Sequence, residues 1–314
     1  MRKLMRNERG SIIVFSVLAM VVIMLFASMA IDVGCLLTAR NQLQAAADAS
    51  ALAGATGLTI SQDVARNRAV TIASRNMCIN QPVQLAQGDV TFPTLTRIRV
   101  QASQNVNVFF ARVVGINSVF VSAVAVAELG QIIRTPGPRP WALPDLGWQR
   151  GAPVVIKPGN LNNPDAPARN AGFYYPIAPD GPGAQEYLEN ILYGSSSSIG
   201  IGDVIDVEPG NMIGPTAQGI NSLIAQDPYA TWDGSNIVSS SYSGLTSPRI
   251  IKVPLYDVND PPDSGRNTIT VTGLAAFFIT GVSGQNVTGV FLTKLTQGTQ
   301  GSGNSMLYAA KLIQ

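Results

Sequence analysis

The pattern of apolar and polar positions divides the chain into a helical N-terminal part and a strand-rich remainder. Residues 11–31 carry no charge, and a helix of that length covers the roughly 30 Å hydrocarbon core of a bilayer. Helical spacing continues through the alanine-rich, proline-free residues 32–55, where Val33, Leu36 and Leu43 share one side. The pattern therefore predicts a single helical rod that runs through and above a membrane.

A small α+β module is predicted to follow the rod. Ser61 is a good N-cap for a helix that extends to Met77, with alanines on its inner face. Residues 96–102 alternate between apolar and polar side chains, which is typical of a half-buried strand. Residues 118–127 are apolar on both faces, which predicts a strand in the centre of its sheet.

The rest of the chain is predicted to be a β-rich domain behind a proline-rich linker. Four prolines between residues 133 and 145 favour an extended connection with few contacts. Beyond them the pattern predicts short helices and a C-terminal strand hairpin. The fold class is therefore α+β and membrane-anchored: a long N-terminal transmembrane helix, a small α+β module and a β-rich C-terminal domain. The predicted regions are a basic tail (1–10), the transmembrane helix (11–31), the juxtamembrane helix with the α+β module (32–129), the linker (130–144) and the extracytoplasmic domain (145–314).

Charge is concentrated before the apolar run. The first ten residues contain four bases and one acid, whereas the remaining chain carries 17 bases and 18 acids. By the positive-inside rule, this asymmetry places the N-terminus in the cytoplasm and residues 32–314 outside the inner membrane. The nearly neutral remainder lacks the basic stripe that phosphate binding needs, so no nucleic-acid partner is predicted.

The chemistry that the chain can offer is limited. It has no histidine, which removes the usual general base of serine and cysteine hydrolases and the commonest transition-metal ligand. Cys35 and Cys78 could form one disulfide or remain two free thiols, and the sequence leaves both alternatives open. We therefore predict that the protein is not an enzyme and carries no cofactor.

Three short motifs could nevertheless carry chemistry. Asp257, Asn259 and Asp263 offer clustered oxygen ligands for calcium, although the spacing does not fit an EF-hand and a solvated polar loop is the favoured interpretation. Asp206 and Glu208 alternate along a predicted strand and would share a face, the minimum that a glycosidase needs. The serines at 195–198 have no histidine or lysine nearby to activate them.

One further string resembles a protease motif. Gly200-Ile201-Gly202-Asp203 matches the short motif of intramembrane aspartyl proteases, which need two facing aspartates inside membrane helices. This aspartate follows the apolar run by many residues, so ordinary turn chemistry is the favoured interpretation.

The N-terminal residues carry a family resemblance. The strings ERG (8–10), AIDVG (30–34) and LQAAADASALAGA (43–55) flank and follow the apolar run. Together they resemble TadG-like proteins of the Tad (tight adherence, Flp) pilus-assembly family, and the segment that begins at Gly202 is similar to the C-terminal half of such proteins. The resemblance implies a bacterial envelope protein of pilus biogenesis or a related secretion apparatus, with no catalytic residues.

Several alternatives stay open at this point. Cleavage after Ala30 would release a secreted protein, and processing after Gly10 would give a pilin-like one, although Phe15 occupies the position where type IV pilins carry glutamate. The C-terminal half could instead act as a cell-surface adhesin or ligand-binding module, or as a hydrolase that uses carboxylates alone. The predicted partners are the lipid bilayer and other pilus or secretion-machine components; whether the chain forms a homo-oligomer is open.

Overall fold

The computed structural model describes residues 9–158, 173–210, 212–242, 246–262, 267–283 and 286–313. The chain forms two compact units, the first comprising Met1–Glu128 with Lys311–Gln314 and the second Leu129–Ala310. Long helices dominate the first unit and strands dominate the second, which confirms the predicted α+β class with a β-rich C-terminal region.

The first unit is organised around one helix, α1 (Arg9–Gly57), which is 49 residues long. Its apolar side chains from Ile13 to Ile31 are exposed, whereas Ala39 and several residues after it are fully buried. Among the described residues, α1 is the one helix that is long and apolar enough to cross a membrane. The predicted rod is confirmed, and it supports a membrane-anchored protein.

A second helix and a small sheet cover the C-terminal half of α1. The remaining elements are α2 (Gln62–Arg75), β1 (Met77–Cys78), β2 (Gln81–Pro82), β3 (Val90–Thr94), β4 (Arg97–Asn107) and β5 (Ser118–Pro136), with short 3₁₀ turns at Gln87–Asp89 and Ala111–Val114. Ser61 caps α2 as predicted, because its hydroxyl accepts the Val64 N–H at 3.2 Å.

The sheet packs through one apolar face. β4 pairs antiparallel with β3 and β5, and the facing pair Ile98 and Ala127 is fully buried, like Val100 beside it. The half-buried strand predicted at residues 96–102 is confirmed. Over the first half of β5, in contrast, only one face is buried, since Phe120 and Val124 are exposed. The predicted central position of this strand is confirmed, since β5 is an interior strand of its sheet. Apolar side chains on both faces nevertheless do not bury both faces, because an apolar side chain does not by itself place a residue in a core.

The second unit is built on a long central strand. Its elements are β6 (Trp141–Pro144), β7 (Pro153–Pro158), β8 (Phe173–Pro176), α3 (Ala184–Tyr193), β9 (Ser198–Gly200), β10 (Val204–Asp206), α4 (Ile213–Gln226), β11 (Thr231–Trp232), β12 (Ile237–Val238), β13 (Ile250–Tyr256), β14 (Thr268–Ser283), β15 (Asn286–Leu292), β16 (Lys294–Leu295), β17 (Thr299–Gln300), β18 (Asn304–Ser305) and β19 (Leu307–Ile313). β14 pairs with both β13 and β15, and the order β14-β13-β6-β8-β7-β15 returns to β14, so these strands close into a ring. The predicted C-terminal hairpin corresponds to β14 and β15.

β14 is buried on both faces. Ala276 and Phe278 belong to one hydrophobic cluster, while Ala275 and Phe277 belong to another that also receives residues of α3 and α4. Such a strand needs a nearly continuous run of apolar residues, which TGLAAFFIT provides.

The proline-rich segment is not a linker with few contacts. Pro136 ends β5, Pro144 ends β6, and between them Trp141, Ala142 and Leu143 are buried. Proline lacks an N–H, but its carbonyl still accepts: the Ser195 N–H donates to Pro138 and the Ile177 N–H to Pro140. The prediction was wrong because proline is compatible with strand ends whose apolar neighbours reach a core.

Candidate functional site

The small-residue side of α1 is the first candidate surface. Ala39, Leu43 and Ala47 are fully buried, and the side continues through Ala51 and Ala55. The elements that cover this side are α2 and β4 of the same chain. Small residues are needed because larger side chains would hold the elements apart.

Two glycines mark the closest approaches. A Cβ placed on Gly54 would meet the Ile98 side chain, and a Cβ on Gly57 would stand 2.5 Å from the Cα of Ala65. Gly34, near the exposed apolar part of the same helix, has nothing within 4 Å. The C-terminal half of α1 therefore packs closely inside its own unit, whereas the surface at Gly34 is not covered by other atoms.

Asp32 connects α1 to a distant loop. Its carboxylate accepts the backbone N–H groups of Phe109 (2.8 Å), Phe110 (3.0 Å) and Ala111 (2.8 Å). The sequence did not predict this role, because the partners lie 77 to 79 residues away. The side chain is buried, so the carboxylate anchors the loop at the end of the apolar segment.

The β1–β2 hairpin also packs against α1. Gln42 accepts the Ile79 N–H at 2.8 Å, and the Cys78 thiol lies 3.7 Å from the Ala39 carbonyl. Cys35 and Cys78 are both free thiols. Burial, together with the nearby Cys35 thiol, raises the pKa of Cys78, which keeps it a poor nucleophile at neutral pH.

The carboxylates proposed as a hydrolytic pair have different environments. Asp206 ends β10 and is exposed, whereas Glu208 lies beyond the strand and is almost fully buried. The prediction that they share one strand face was therefore wrong, since β10 ends before Glu208. Burial raises the pKa of Glu208, while the Gly183 N–H, 3.2 Å from one oxygen, stabilises the charged form. The pair offers no arrangement of two carboxylates across a common cleft.

The protease-like string is a structural turn. Asp203 forms a bidentate ion pair with Arg134, with nitrogen–oxygen distances of 2.5 and 2.9 Å, and also accepts the Gly200 N–H at 2.9 Å. Although burial opposes the charge, the bonds from Arg134 and Gly200 lower the pKa of Asp203. Gly202 adopts φ +92°, which glycine tolerates without strain.

The serine string is organised by one carboxylate. Asp180 accepts the Ser195 hydroxyl at 2.8 Å and the backbone N–H groups of Ser196 and Ser197 at 2.7 and 2.9 Å. Although burial opposes the charge, these bonds lower the pKa of Asp180 to about 2. Ser195 therefore donates to a carboxylate that orders the loop, and a carboxylate with so low a pKa is a weak base for activating the hydroxyl.

The calcium candidates do not form a described site. The Asp257 carboxylate accepts the backbone and side-chain N–H groups of Asn259 at 2.8 and 3.1 Å, as in an Asx turn, and Asp263 lies outside the described residues. Within the described ranges, no three His, Cys, Asp or Glu residues are placed to hold a metal ion.

A buried ionic network in the second unit was missed by sequence reasoning. Arg249 donates to the carbonyls of Asp227, Ala230, Ile279 and Thr280 at 2.8 to 3.1 Å, and its guanidinium stacks on Phe278. The fully buried Asp227 carboxylate accepts two serine hydroxyls at 2.6 Å. Although burial opposes its charge, these bonds keep the pKa of Asp227 below the ordinary value. The network joins β13, β14 and the end of α4, which indicates a structural role.

Three cations lie close together in the same unit. Burial lowers the pKa of Arg139 to about 10 and that of Lys294 to about 8, and it also lowers the pKa of Lys252. Arg139 adds a repulsive effect on both lysines. Lys252 donates to the Pro136 carbonyl, so this cluster also contributes to the fold.

An open groove in the second unit could take a ligand. It has a volume of about 670 Å³ and is lined mainly by apolar groups, including Trp232, Val155 and Val290. Thr280 and Thr288 add a hydroxyl pair 3.0 Å apart. Arg150 stacks on Trp232, with its guanidinium carbon 5.6 Å from the ring centre.

These features define a class of protein: an α+β protein with one exposed apolar helix that supports membrane anchoring, and with polar groups engaged mostly in structural bonds. Comparison with known families agrees with this class. Residues 10–57 match the family model described as "Putative Flp pilus-assembly TadE/G-like". The matched segment coincides with α1 and confirms the resemblance there, but it covers less than a sixth of the chain. The similarity of the segment that begins at Gly202 therefore stays a prediction.

No curated protein and no solved structure matches the chain significantly.

Proposed function

We propose that the protein is a non-catalytic, single-pass envelope protein that takes part in Tad/Flp pilus assembly or a related secretion apparatus. The observation that carries the proposal is the agreement between the matched segment and α1. Residues 10–57 form one continuous helix whose first part exposes apolar side chains and whose second part is packed inside its own unit. A helix of this kind couples a folded unit rigidly to a membrane, as an assembly component requires.

The proposal includes an orientation. Four bases precede the apolar run and Asp32 follows it, which favours a cytoplasmic N-terminus and an extracytoplasmic position for residues 32–314 at the inner membrane. Leu95 is 83% exposed and offers a labelling site. In spheroplasts with intact membranes, a membrane-impermeant maleimide should label Leu95→Cys above the wild-type background. Labelling of Leu95→Cys only after lysis would show that the orientation is the opposite of the proposed one.

The polar groups support a non-catalytic role. Asp180, Asp203 and Asp227 each accept several structural hydrogen bonds, and the chain has no histidine to activate a hydroxyl. Partners are expected among pilus or secretion-machine components and, for α1, in the bilayer itself.

Deletion of the gene, followed by complementation, tests the function. Surface pili counted by electron microscopy, and adherence measured in parallel, should both be lost on deletion and restored by the full-length chain. A deletion strain with normal pili would contradict the assembly role.

The apolar groove favours a second candidate, a cell-surface ligand-binding module. Complementation with Trp232→Ala, with Tyr229→Ala as an exposed aromatic control outside the groove, distinguishes the two functions. Under the assembly role both variants restore pili and adherence. Normal pili with adherence lost only in Trp232→Ala would favour ligand binding through the groove.

A further inference from the structure

A loop of the first unit exposes an unusual concentration of apolar side chains. A single exposed valine or phenylalanine is ordinary at a protein surface, but five within eight consecutive residues are unusual. The exposed fractions are 65% for Phe109, 45% for Phe110, 87% for Val113, 76% for Val114 and 48% for Ile116. We call residues 109–116 the apolar loop.

Asp32 fixes the position of the apolar loop along α1. Three consecutive backbone N–H groups of the loop, those of Phe109, Phe110 and Ala111, donate to the Asp32 carboxylate. Asp32 is the first charged residue after the apolar run of the helix, and Ile31 just before it is 54% exposed. The apolar loop therefore lies at the level where the membrane-spanning part of α1 ends.

The path of β4 independently supports this placement. Its first part lies against the C-terminal end of α1, since a Cβ on Gly54 would meet the Ile98 side chain. The 22 helical residues from Asp32 to Gly54 rise by about 33 Å, and the 11 residues from Ile98 to Phe109 extend by about 36 Å as a strand. The two lengths agree, so β4 follows α1 from Gly54 down to Asp32.

We propose that the apolar loop inserts into the headgroup–acyl boundary of the bilayer that α1 spans, so that its partner is a lipid surface. A lipid surface is favoured over a second protein, because the loop continues the exposed apolar surface of α1 at the outer end of its membrane-spanning part. Phenylalanine and valine suit the upper acyl region, and the exposed Arg112 can hold its guanidinium among the phosphates. The unit would then be held to the bilayer at two places, which restrains its rotation about α1.

The inference rests on the membrane anchoring in the proposed function but not on the pilus role. Full-length protein is placed in nanodiscs of phosphatidylcholine, one molecule per disc, with and without bromine on the acyl chains. Bromine quenches nearby tryptophan, and the wild-type signal from the three native tryptophans is subtracted. Val113→Trp reports on the loop, Leu95→Trp is an equally exposed control at the far end of β4, and Phe26→Trp is the reference within the apolar run.

The expected result is strong quenching and a blue-shifted emission for Val113→Trp and Phe26→Trp, with no quenching for Leu95→Trp. Equal, unquenched emission from Val113→Trp and Leu95→Trp beside a quenched Phe26→Trp would overturn the loop insertion and leave the anchor intact. An unquenched Phe26→Trp would overturn both. Because all three positions are largely exposed, none of the substitutions disturbs the core.

Discussion

The substitution of one glycine in α1 tests whether the family-matched helix uses its small residues inside its own chain. In Gly57→Ala, the new Cβ would stand 2.5 Å from the Cα and 2.7 Å from the N of Ala65. Both atoms belong to the backbone, so no side-chain rotation can relieve the overlap. The same substitution at Gly34 meets nothing within 4 Å and serves as the matched control.

The size of the expected destabilisation follows from the distance between the new Cβ and the Ala65 backbone. Ordinary contact begins near 3.4 Å, so α1 and α2 must separate locally by about 0.9 Å. Overpacking of this kind costs about 1–3 kcal/mol, offset by at most about 1 kcal/mol from the better helix propensity of alanine. We therefore expect Gly57→Ala to lower the free energy of unfolding by about 1–2 kcal/mol. Gly34→Ala should raise it by up to about 1 kcal/mol.

Thermal unfolding of the full-length protein in detergent, followed by far-UV circular dichroism, compares the two variants with wild type. Opposite signs are expected for the two substitutions. A Gly57→Ala protein as stable as wild type would refute the argument that α2 occupies this side of α1. A stable Gly34→Ala protein that fails to restore pili would instead locate a partner contact at Gly34.

Three further expectations concern the second unit. Arg249→Met leaves four carbonyls without their donor and Asp227 without its counter-charge. We expect it to lower the free energy of unfolding by about 3–5 kcal/mol, which calorimetry should record as a fall in Tm on the order of 10 °C. The control Arg150→Met changes an exposed arginine and should cost at most about 1 kcal/mol. The pKa of Asp180 is about 2 in the folded protein against an ordinary 3.8, so its stabilisation is present above about pH 4 and is lost as the pH falls toward 2; in denaturant titrations Asp180→Asn should remove this decline. Glu208 has a raised pKa, so its charge weakens the fold as the pH rises above 4.5, and Glu208→Gln should flatten stability there; an unchanged pH dependence in either variant would contradict the assignment.

The features that could be predicted from the sequence are local. The apolar run, the helical spacing after it and the Ser61 cap are determined by neighbours within one or two turns, and α1 and α2 form as predicted. Alternation along residues 96–102 likewise predicted β4, because successive side chains of a strand with one covered face point in turn to the core and to solvent. The family-matched segment also lies within this local part.

Tertiary structure decided which side chains meet. Asp32 holds a loop 77 residues away, and the carbonyls that accept from Arg249 come from positions 19 to 31 residues distant. No spacing rule connects such groups, since their proximity depends on how the chain folds back. Conversely, residues that are close in sequence can have different environments. Asp206 is exposed and Glu208 is buried, because the strand ends between them. Local periodicity therefore determined the elements of this protein, while the long-range pairing of strands and loops decided which polar groups are buried and which apolar ones stay exposed.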